Sequence, residues 1–356
     1  PYPEAATHRI LVHGDKVYGL QDFGAAFVYH KSTGELEYRS LVARGFRAAP
    51  EQAMSMLADG ERVYVSGKNG AQVHDLATGE QSRWVLPGQP KSWVSVDGKV
   101  YAGVYTQALL YCYTPTDGGS EIVARIGNQQ DRPRDMAYDS DRGLLVTGTQ
   151  PEPGHRNGTV SLYDIADDKL DVYRGLIDRQ SIYSVAVGHD VAYLGSYVQE
   201  GFGLDPVHDT ASLAAFDLDS RKVRWQLDPV PGAQYIAGLT TFGGRVYGVT
   251  DTGVLFEVDP ERRTVLRTTK VADTGGDLLV KGAVLYGTDG ERVYKVDPRS
   301  LQVSTVTDGL AGDWFDGAKL AADPDAWGAD PATRDALQQF IPPVRRTDAA
   351  VMAARD

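Results

Sequence analysis

Three features of the sequence predict an all-β fold, specifically a seven-bladed β-propeller of four-stranded antiparallel blades. First, a phrase made of a short apolar strand, a Gly/Asp turn and a strand ending near Val-Tyr recurs about every 45 residues, a period typical of propeller blades. Second, each phrase is followed by two more short strands joined by an acidic turn. Third, helical periodicity is absent until the end of the chain. Four short strands per repeat therefore indicate one sheet per blade.

The repeats can be followed in order along the chain. Their phrases are GDKVYGL, DGERVYVSG, DGKVYAG, SDRGLLVTG, GHDVAYLG, GGRVYGV and KGAVLYG. We expect the repeats to start near residues 10, 54, 93, 135, 183, 235 and 277, so that residues 1–312 form the propeller. A single blade cannot bury both of its faces, and packing between neighbouring blades is therefore expected to supply the core.

The chain changes character after the last repeat. Residues 313–356 are predicted to form a C-terminal extension with a short helix over DPATRDALQQF. Asp330 is suited to cap this helix, and Pro331 falls at its first position.

Composition limits the function. The formal net charge of -12 argues against a nucleic-acid partner, because phosphate binding needs a basic stripe. One cysteine, Cys112, excludes an intramolecular disulfide framework and a cysteine-rich zinc site. No apolar run is long enough to span a membrane.

We expect an extracellular or otherwise exported protein whose signal peptide is not present in this chain. We expect no cofactor, with one structural calcium left open, and the oligomeric state stays undetermined.

Two loops stand out by their length. In an up-and-down blade, the connection from the second to the third strand lies on the same face as the lead into the first strand. This connection is enlarged in the fourth repeat, TQPEPGHRNG at 149–158, and in the fifth, within 195–217. These repeats are adjacent, and each enlarged loop carries a histidine. We therefore expect the loops to build one wall of a pocket at the channel mouth.

The polar and aromatic residues of this face suggest chemistry on an acidic sugar. An arginine fork pairs with a carboxylate, an aromatic ring stacks on a sugar, and a histidine or tyrosine beside them can remove a proton. The candidate catalytic residues are His155, His208, Tyr183, Arg134 and Arg132. The candidate substrate-binding residues are Lys91, Trp93, Tyr105, Arg156, Gln180, Tyr197, Gln234 and Tyr235; no metal ligands are assigned.

Plainer roles stand beside these assignments. Histidines on surface loops are more often solvated than catalytic. Arg132 and Arg134 can pair with their neighbours Asp131 and Asp135. Trp93 suits the core of a first strand as well as a sugar platform.

Repeats four to six carry a resemblance. The succession RPRDMAYDSDRGLLVTGTQPEPGHRNGTVSLYDI, RQSIYSVAV, GSYVQEGFGLDP and ASLAAFDLDSRKVRWQLDPVPGA resembles a largely uncharacterised, often exported group of microbial propellers. More distantly, the architecture is similar to propeller-type polysaccharide lyases, including those that act between rhamnose and glucuronate. This resemblance rests on fold and implies no particular catalytic residue.

These observations lead to a functional expectation with alternatives. The leading hypothesis is a carbohydrate-active lyase that cleaves a uronate-containing glycan by β-elimination, with an acidic oligosaccharide or polysaccharide as its partner. One alternative is a noncatalytic ligand- or protein-binding propeller. Another is a small-molecule lyase or hydrolase of natural-product metabolism.

Overall fold

The computed structural model describes residues 7–21, 25–40, 55–67, 70–75, 77–281, 283–289 and 293–307. Within these ranges the regular structure consists of seven four-stranded antiparallel sheets, which confirms the predicted seven-bladed β-propeller. The predicted extension at 313–356, with its helix over 330–340, lies outside the described residues. The boundary at residue 312 lies outside them too and stays a prediction.

Every blade is an up-and-down meander in which each strand pairs with the next strand in sequence. Blades 1 and 2 consist of β1 (Thr7–His13), β2 (Lys16–Gln21), β3 (Ala25–His30), β4 (Leu36–Ser40), β5 (Met56–Asp59), β6 (Arg62–Gly67), β7 (Gly70–Asp75) and β8 (Gln81–Trp84). Blades 3 and 4 consist of β9 (Gln89–Val96), β10 (Lys99–Tyr105), β11 (Leu109–Thr114), β12 (Gly119–Arg125), β13 (Gln130–Asp139), β14 (Leu144–Pro151), β15 (Thr159–Asp164) and β16 (Lys169–Arg174).

The last three blades follow the same order. They consist of β17 (Ser181–Gly188), β18 (Val191–Tyr197), β19 (Leu213–Asp217), β20 (Lys222–Leu227), β21 (Ile236–Phe242), β22 (Arg245–Thr250), β23 (Val254–Asp259), β24 (Thr264–Lys270), β25 (Leu278–Lys281), β26 (Val284–Thr288), β27 (Val293–Val296) and β28 (Val303–Thr307). From blade 2 to blade 7, the first strand of each blade contacts the first strand of the next. These strands are therefore the innermost ones.

The core lies between the blades. Successive side chains of a strand point to opposite faces, so one strand can supply two interblade cores. Val100 and Ala102 of β10 pack in the cluster that contains Trp84 of blade 2. Tyr101, between them in sequence, belongs instead to the cluster that contains Met136 of blade 4. This alternation explains why valine and tyrosine neighbour each other in the repeated phrase.

The acidic turns between third and fourth strands are stabilised by their own aspartates. The Oδ1 atom of Asp217 accepts the backbone N–H groups of Asp219 at 3.0 Å and Ser220 at 2.6 Å. Asp164 does the same with Ala166 and Asp167. These carboxylates therefore serve hairpin geometry on the face opposite the enlarged loops.

Candidate functional site

One face of the propeller carries the two enlarged loops. The second-to-third-strand connection covers residues 152–158 in blade 4 and residues 198–212 in blade 5. In blade 6 the same connection covers only residues 251–253. The meander places these loops on the face where the chain enters the innermost strands.

The two enlarged loops touch through their backbones. The Gly154 N–H donates to the Phe202 carbonyl at 2.9 Å, and the Gly201 N–H donates to the His155 carbonyl at 3.0 Å. A Cβ atom on Gly201 would lie 2.0 Å from the carbonyl oxygen of Glu152. Glycine is thus required at this position, and the two loops form one wall, which we call the loop seam (residues 152–158 with 198–204).

A buried carboxylate fastens the loop seam. Glu200 is 1% exposed. Its carboxylate accepts the backbone N–H of Asn157 at 2.7 Å, Nη1 of Arg156 at 2.5 Å and Nε of Arg179 at 3.3 Å. Two guanidinium groups and a backbone donor compensate for the loss of hydration of this charge. The first part of the blade 5 loop is therefore held by side chains and backbone outside that loop.

Three cationic side chains lie together beside the seam: Lys91 of β9, and Arg132 and Arg134 of β13. We call them the cation cluster. Cζ of Arg132 lies 4.4 Å from the ring centre of Tyr105 and 4.8 Å from that of Phe202, and Nζ of Lys91 lies 5.9 Å from the Tyr105 ring centre. Burial, with the positive charges of Arg134 and Arg132, lowers the pKa of Lys91 to about 8.

A tyrosine cluster adjoins the cations. The ring centres of Tyr183, Tyr197 and Tyr235 lie 4.7 to 5.7 Å from one another. Cζ of Arg134 lies 5.1 Å from the ring centre of Tyr183. Burial raises the pKa values of Tyr197 and Tyr235, and the charge of Arg134 partly opposes this. Tyr197 and Tyr235 therefore stay neutral phenols beside a guanidinium group.

A short chain of hydrogen bonds ties the cation cluster to the seam. Nε of Arg134 donates to Oε1 of Gln150 at 3.0 Å, and Nη2 of the same arginine donates to the same oxygen. Nε2 of Gln150 then donates to the backbone carbonyl of Glu200 at 2.7 Å. Gln150 and Glu200 were absent from the residues chosen from the sequence. Gln150 ends a buried strand and Glu200 sits inside a loop, so neither stood out by periodicity.

Each predicted histidine lies beside an acidic side chain. Nε2 of His155 lies 3.9 Å from Glu152, and Nε2 of His208 lies 3.7 Å from Asp178. Both histidine side chains are about two-fifths exposed. Among the described residues, no hydrogen bond joins either histidine to Tyr183 or Arg134. A general base must come within hydrogen-bonding reach of the proton it removes, and the described contacts leave both histidines at the solvent-exposed side of the loops.

Trp93 lies in the core between blades 2 and 3. Only 8% of the residue is exposed, and its ring centre is 6.4 Å from that of Tyr64 and 6.3 Å from that of Trp84. This position agrees with the plainer role as a core residue and offers no face for a sugar.

Glutamines in the leads into the innermost strands hold the loops. Nε2 of Gln180 donates to the Thr210 carbonyl at 3.1 Å. Nε2 of Gln234 donates to the Asp209 carbonyl at 3.0 Å. Gln130, which the sequence did not single out, uses the same device and donates to the Asn157 carbonyl at 3.2 Å. In the sequence, this structural role is indicated by a glutamine that recurs in successive segments leading into the innermost strands.

The two arginines of β13 differ in their pairing. Nη1 of Arg132 lies 3.1 Å from Oδ2 of Asp131, as the plainer role requires. Asp135 accepts backbone N–H groups from Val185 at 2.7 Å and Met136 at 2.8 Å instead of pairing with Arg134. A ligand-binding role for these arginines stays a prediction.

Two further features are absent from the part of the chain that the structure describes. No group of three or more His, Cys, Asp or Glu side chains is arranged to hold a metal ion there. No helix in the same ranges is long and apolar enough to cross a membrane. The expected absence of a cofactor stays a prediction.

The fold and the site together define a seven-bladed propeller with a cluster of cationic and aromatic side chains beside two interlocked loops. A family model described as "Outer membrane protein assembly factor BamB" matches residues 6–121, the region of the first three blades. The crystal structure of BamB from Moraxella catarrhalis is similar over 77% of this chain and 76% of that one, with a TM-score of 0.50 and 13% sequence identity. At this identity the similarity shows the fold alone. A search of curated proteins found no match.

These comparisons correct the leading functional hypothesis. The matching family model carries the name of an assembly factor. Neither comparison supports a resemblance to polysaccharide lyases. The expectation of a uronate lyase acting on an acidic glycan is wrong. The alternative of a noncatalytic binding propeller agrees better with these findings.

Proposed function

We propose that the chain is a noncatalytic propeller that binds other proteins through the face that carries the loop seam. The observation behind this proposal is the exposure of two large apolar side chains on the blade 5 loop, one within the seam and one just beyond it. Phe202 is 45% exposed and Val207 is 53% exposed, both on the blade 5 loop. Large exposed apolar side chains rimmed by polar residues are typical of protein interaction sites.

The rigidity of the seam supports binding. A loop that is already held in place loses less conformational entropy when a partner docks on it. Here Glu200 is clamped by Arg156, Arg179 and the backbone of Asn157, and the ring of Phe202 lies against the guanidinium group of Arg132. The apolar side chains are thus presented from a preformed surface.

The comparisons support the same class of function. The family model that matches blades 1 to 3 is named for a factor in the assembly of outer membrane proteins. We carry over from this name only the binding of other proteins and, as part of the proposal, an exported location. Among the described residues no hydrogen bond joins His155 or His208 to Tyr183, and this supports binding rather than acid–base turnover.

Site-specific photocrosslinking tests the proposal. A photoreactive phenylalanine analogue replaces Phe202 or Val207 in the cells that make the protein, and the adducts are identified by mass spectrometry. Matched controls carry the analogue at Ile122 of β12 and Leu266 of β24, which are exposed by 55% and 40% on outer strands. We expect one discrete protein to be crosslinked from positions 202 and 207 and not from the controls.

A second step separates docking from adventitious capture. The crosslinked protein is purified and titrated against the wild type and against a Phe202→Ser/Val207→Ser double variant. We expect the double variant to bind at least about tenfold more weakly, because it loses the apolar contacts at the centre of the surface. Equal binding by both proteins, equal crosslinking from all four positions, or covalent processing of the partner would contradict a noncatalytic docking face.

A further inference from the structure

Arg134 has donors left over for a ligand. A guanidinium group carries five N–H donors, and both bonds described for Arg134, from Nε and Nη2, end on the single oxygen Oε1 of Gln150. The pair of donors at the far edge, on Nη1 and Nη2, has the spacing that binds a carboxylate with two parallel hydrogen bonds. The face of the group is fixed by the Tyr183 ring. Arg134 is therefore oriented before any ligand arrives.

Positive charge is concentrated around Arg134. Its guanidinium group has Arg132, which pairs with Asp131, and the phenol rings of Tyr183, Tyr197 and Tyr235 as electrostatic neighbours. Lys91 likewise experiences the charges of Arg134 and Arg132. Such a concentration of cations in a protein with a net charge of -12 is a specific feature, and not a consequence of composition.

We infer that the cation cluster is a subsite for a carboxylate carried by an acidic segment of the protein partner. The carboxylate lies against the Nη edge of Arg134, within the fields of Arg132 and Lys91. The aliphatic or aromatic side chain next to it in the segment packs on the tyrosine cluster and Phe202. This inference rests on the proposed protein-binding function, and it adds the chemistry of the partner.

Binding of a carboxylate has a measurable consequence for Lys91. The interactions that the structure describes for Lys91 include the ring of Tyr105 of β10 and the positive charges of the two arginines of β13, of which Arg132 pairs with Asp131. A bound anion favours the charged ammonium and so raises the pKa of Lys91 from about 8. At pH 8 the free protein therefore takes up as much as about half a proton on Lys91 when the carboxylate binds.

Isothermal titration calorimetry on the full chain provides the test. The probe is a blocked hexapeptide, Gly-Asp-Glu-Phe-Asp-Gly, compared with its uncharged counterpart Gly-Asn-Gln-Phe-Asn-Gly and with sodium acetate. Titrations at pH 8 in two buffers of different ionisation enthalpy report the protons taken up. Lys91→Met removes the charge, Lys91→Arg keeps a charge that does not titrate in this range, and Lys169→Met on β16 is the control lysine.

A carboxylate subsite predicts differences in affinity and in proton uptake among these peptides and variants. The acidic peptide binds at least about tenfold more tightly than the uncharged one, because charge-assisted hydrogen bonds are lost with the carboxylates. Proton uptake at pH 8 occurs in the wild type and in Lys169→Met, and it disappears in Lys91→Met and Lys91→Arg. Lys91→Met binds more weakly at pH 7, whereas Lys91→Arg keeps its affinity up to pH 9.

Several outcomes would overturn the inference. Equal affinity for the two peptides, no binding of the acidic peptide, or affinity unchanged in Lys91→Met would remove the carboxylate subsite. If acetate bound as tightly as the peptide, the carboxylate would not come from a protein segment, and this part of the inference would be wrong. If crosslinking at positions 202 and 207 succeeds while charge selectivity fails, the docking face stands without this subsite. If charge selectivity is observed while crosslinking at positions 202 and 207 fails, the carboxylate subsite stands and the docking function is rejected.

Discussion

Asp135 illustrates how a single residue couples the propeller to pH. Burial raises the pKa of its carboxyl to about 6, and the negative charge of Asp277 adds to this. The backbone N–H groups of Val185 and Met136 act in the opposite direction because they donate to the carboxylate. Burial outweighs the two hydrogen bonds, so the folded protein holds this proton more tightly than the unfolded chain does.

We predict a pH-dependent loss of stability that is specific to Asp135. The pKa of an unfolded aspartate is about 3.9, so the contribution of protonated Asp135 to stability is fully present below about pH 4 and is lost as the pH rises to about 6. The loss is at most about 3 kcal/mol. Asp135→Asn does not titrate, and its unfolding free energy relative to the wild type should therefore rise between pH 4 and pH 6.5. Urea denaturation at several pH values measures this difference.

Asp277→Asn is the matched control for this prediction. It removes a neighbouring negative charge and should lower the pKa of Asp135, which NMR titration of the carboxyl group can detect. A difference between wild type and Asp135→Asn that stays constant from pH 4 to pH 6.5 would contradict the assignment.

Single residues also show where sequence reasoning stops. The two arginines, Tyr183 and Tyr235 could be chosen from the sequence because they lie at or just before the start of innermost strands, whose position follows from the repeat. The histidines were chosen by chemical type alone, and the path of their loops carried them to Glu152 and Asp178 instead. The role of Glu200 could not be predicted from the sequence, because it depends on burial between two loops that are distant in sequence.

Among the structural elements, the loop seam depends on a close backbone approach at Gly201. The sequence predicted both enlarged loops and their place on adjacent blades. Their contact could not be predicted, because it depends on the conformation of residues 198–204, which follow neither period of regular structure. A glycine-rich stretch is compatible with many paths, and only the packing against residues 152–158 selects one.

We predict that Gly201→Ala opens the seam. The new Cβ would collide with the carbonyl oxygens of Glu152 and His155, at 2.0 and 2.6 Å, and backbone atoms cannot yield cheaply. We expect a loss of about 1–3 kcal/mol in unfolding free energy, as for other overpacked sites. Faster hydrogen exchange of the Gly154 amide, which donates across the seam, would report the local opening.

Gly203→Ala is the control within the same loop. A Cβ there meets nothing within 4 Å, although the positive φ of 84° carries a backbone cost of about 1 kcal/mol. The exchange rate of the Gly154 amide should stay at its wild-type value. If both variants accelerated this exchange equally, loop strain and not the seam contact would be responsible.

At the scale of the whole molecule, stability resides in the apolar layers between blades. The repeat of about 45 residues was sufficient to predict seven such blades, because each strand pattern recurs and neighbouring blades are equivalent. The sequence could not show which residues of one blade face which neighbour, since this depends on strand register and twist. The division of alternate residues of β10 between two clusters, with Val100 facing blade 2 and Tyr101 facing blade 4, supplies that information.

We predict that Phe216→Ala destabilises the whole propeller. Phe216 of β19 is fully buried in the layer between blades 4 and 5, where its ring lies 5.2 Å from that of Tyr173. Removal of a buried phenylalanine ring costs about 3–5 kcal/mol. Ile122→Ala on the exposed outer strand of blade 3 should change the free energy by no more than about 0.5 kcal/mol. Unfolding in guanidinium measures the free energy of both variants. Similar unfolding midpoints would contradict the conclusion that stability resides in the layers between blades.

The link from Arg134 through Gln150 to Glu200 joins the innermost strand of blade 4, its neighbour in the same sheet and the first part of the blade 5 loop. The orientation of the guanidinium group consequently depends on two blades together. Exchange of blade 5 alone between related propellers would remove the anchor of the Gln150 amide, and exchange of blade 4 alone would remove Arg134 and Gln150 from the loop that holds them. The smallest unit that can be transplanted with this link is therefore the pair of blades from Gln130 to Leu227, with both loops intact.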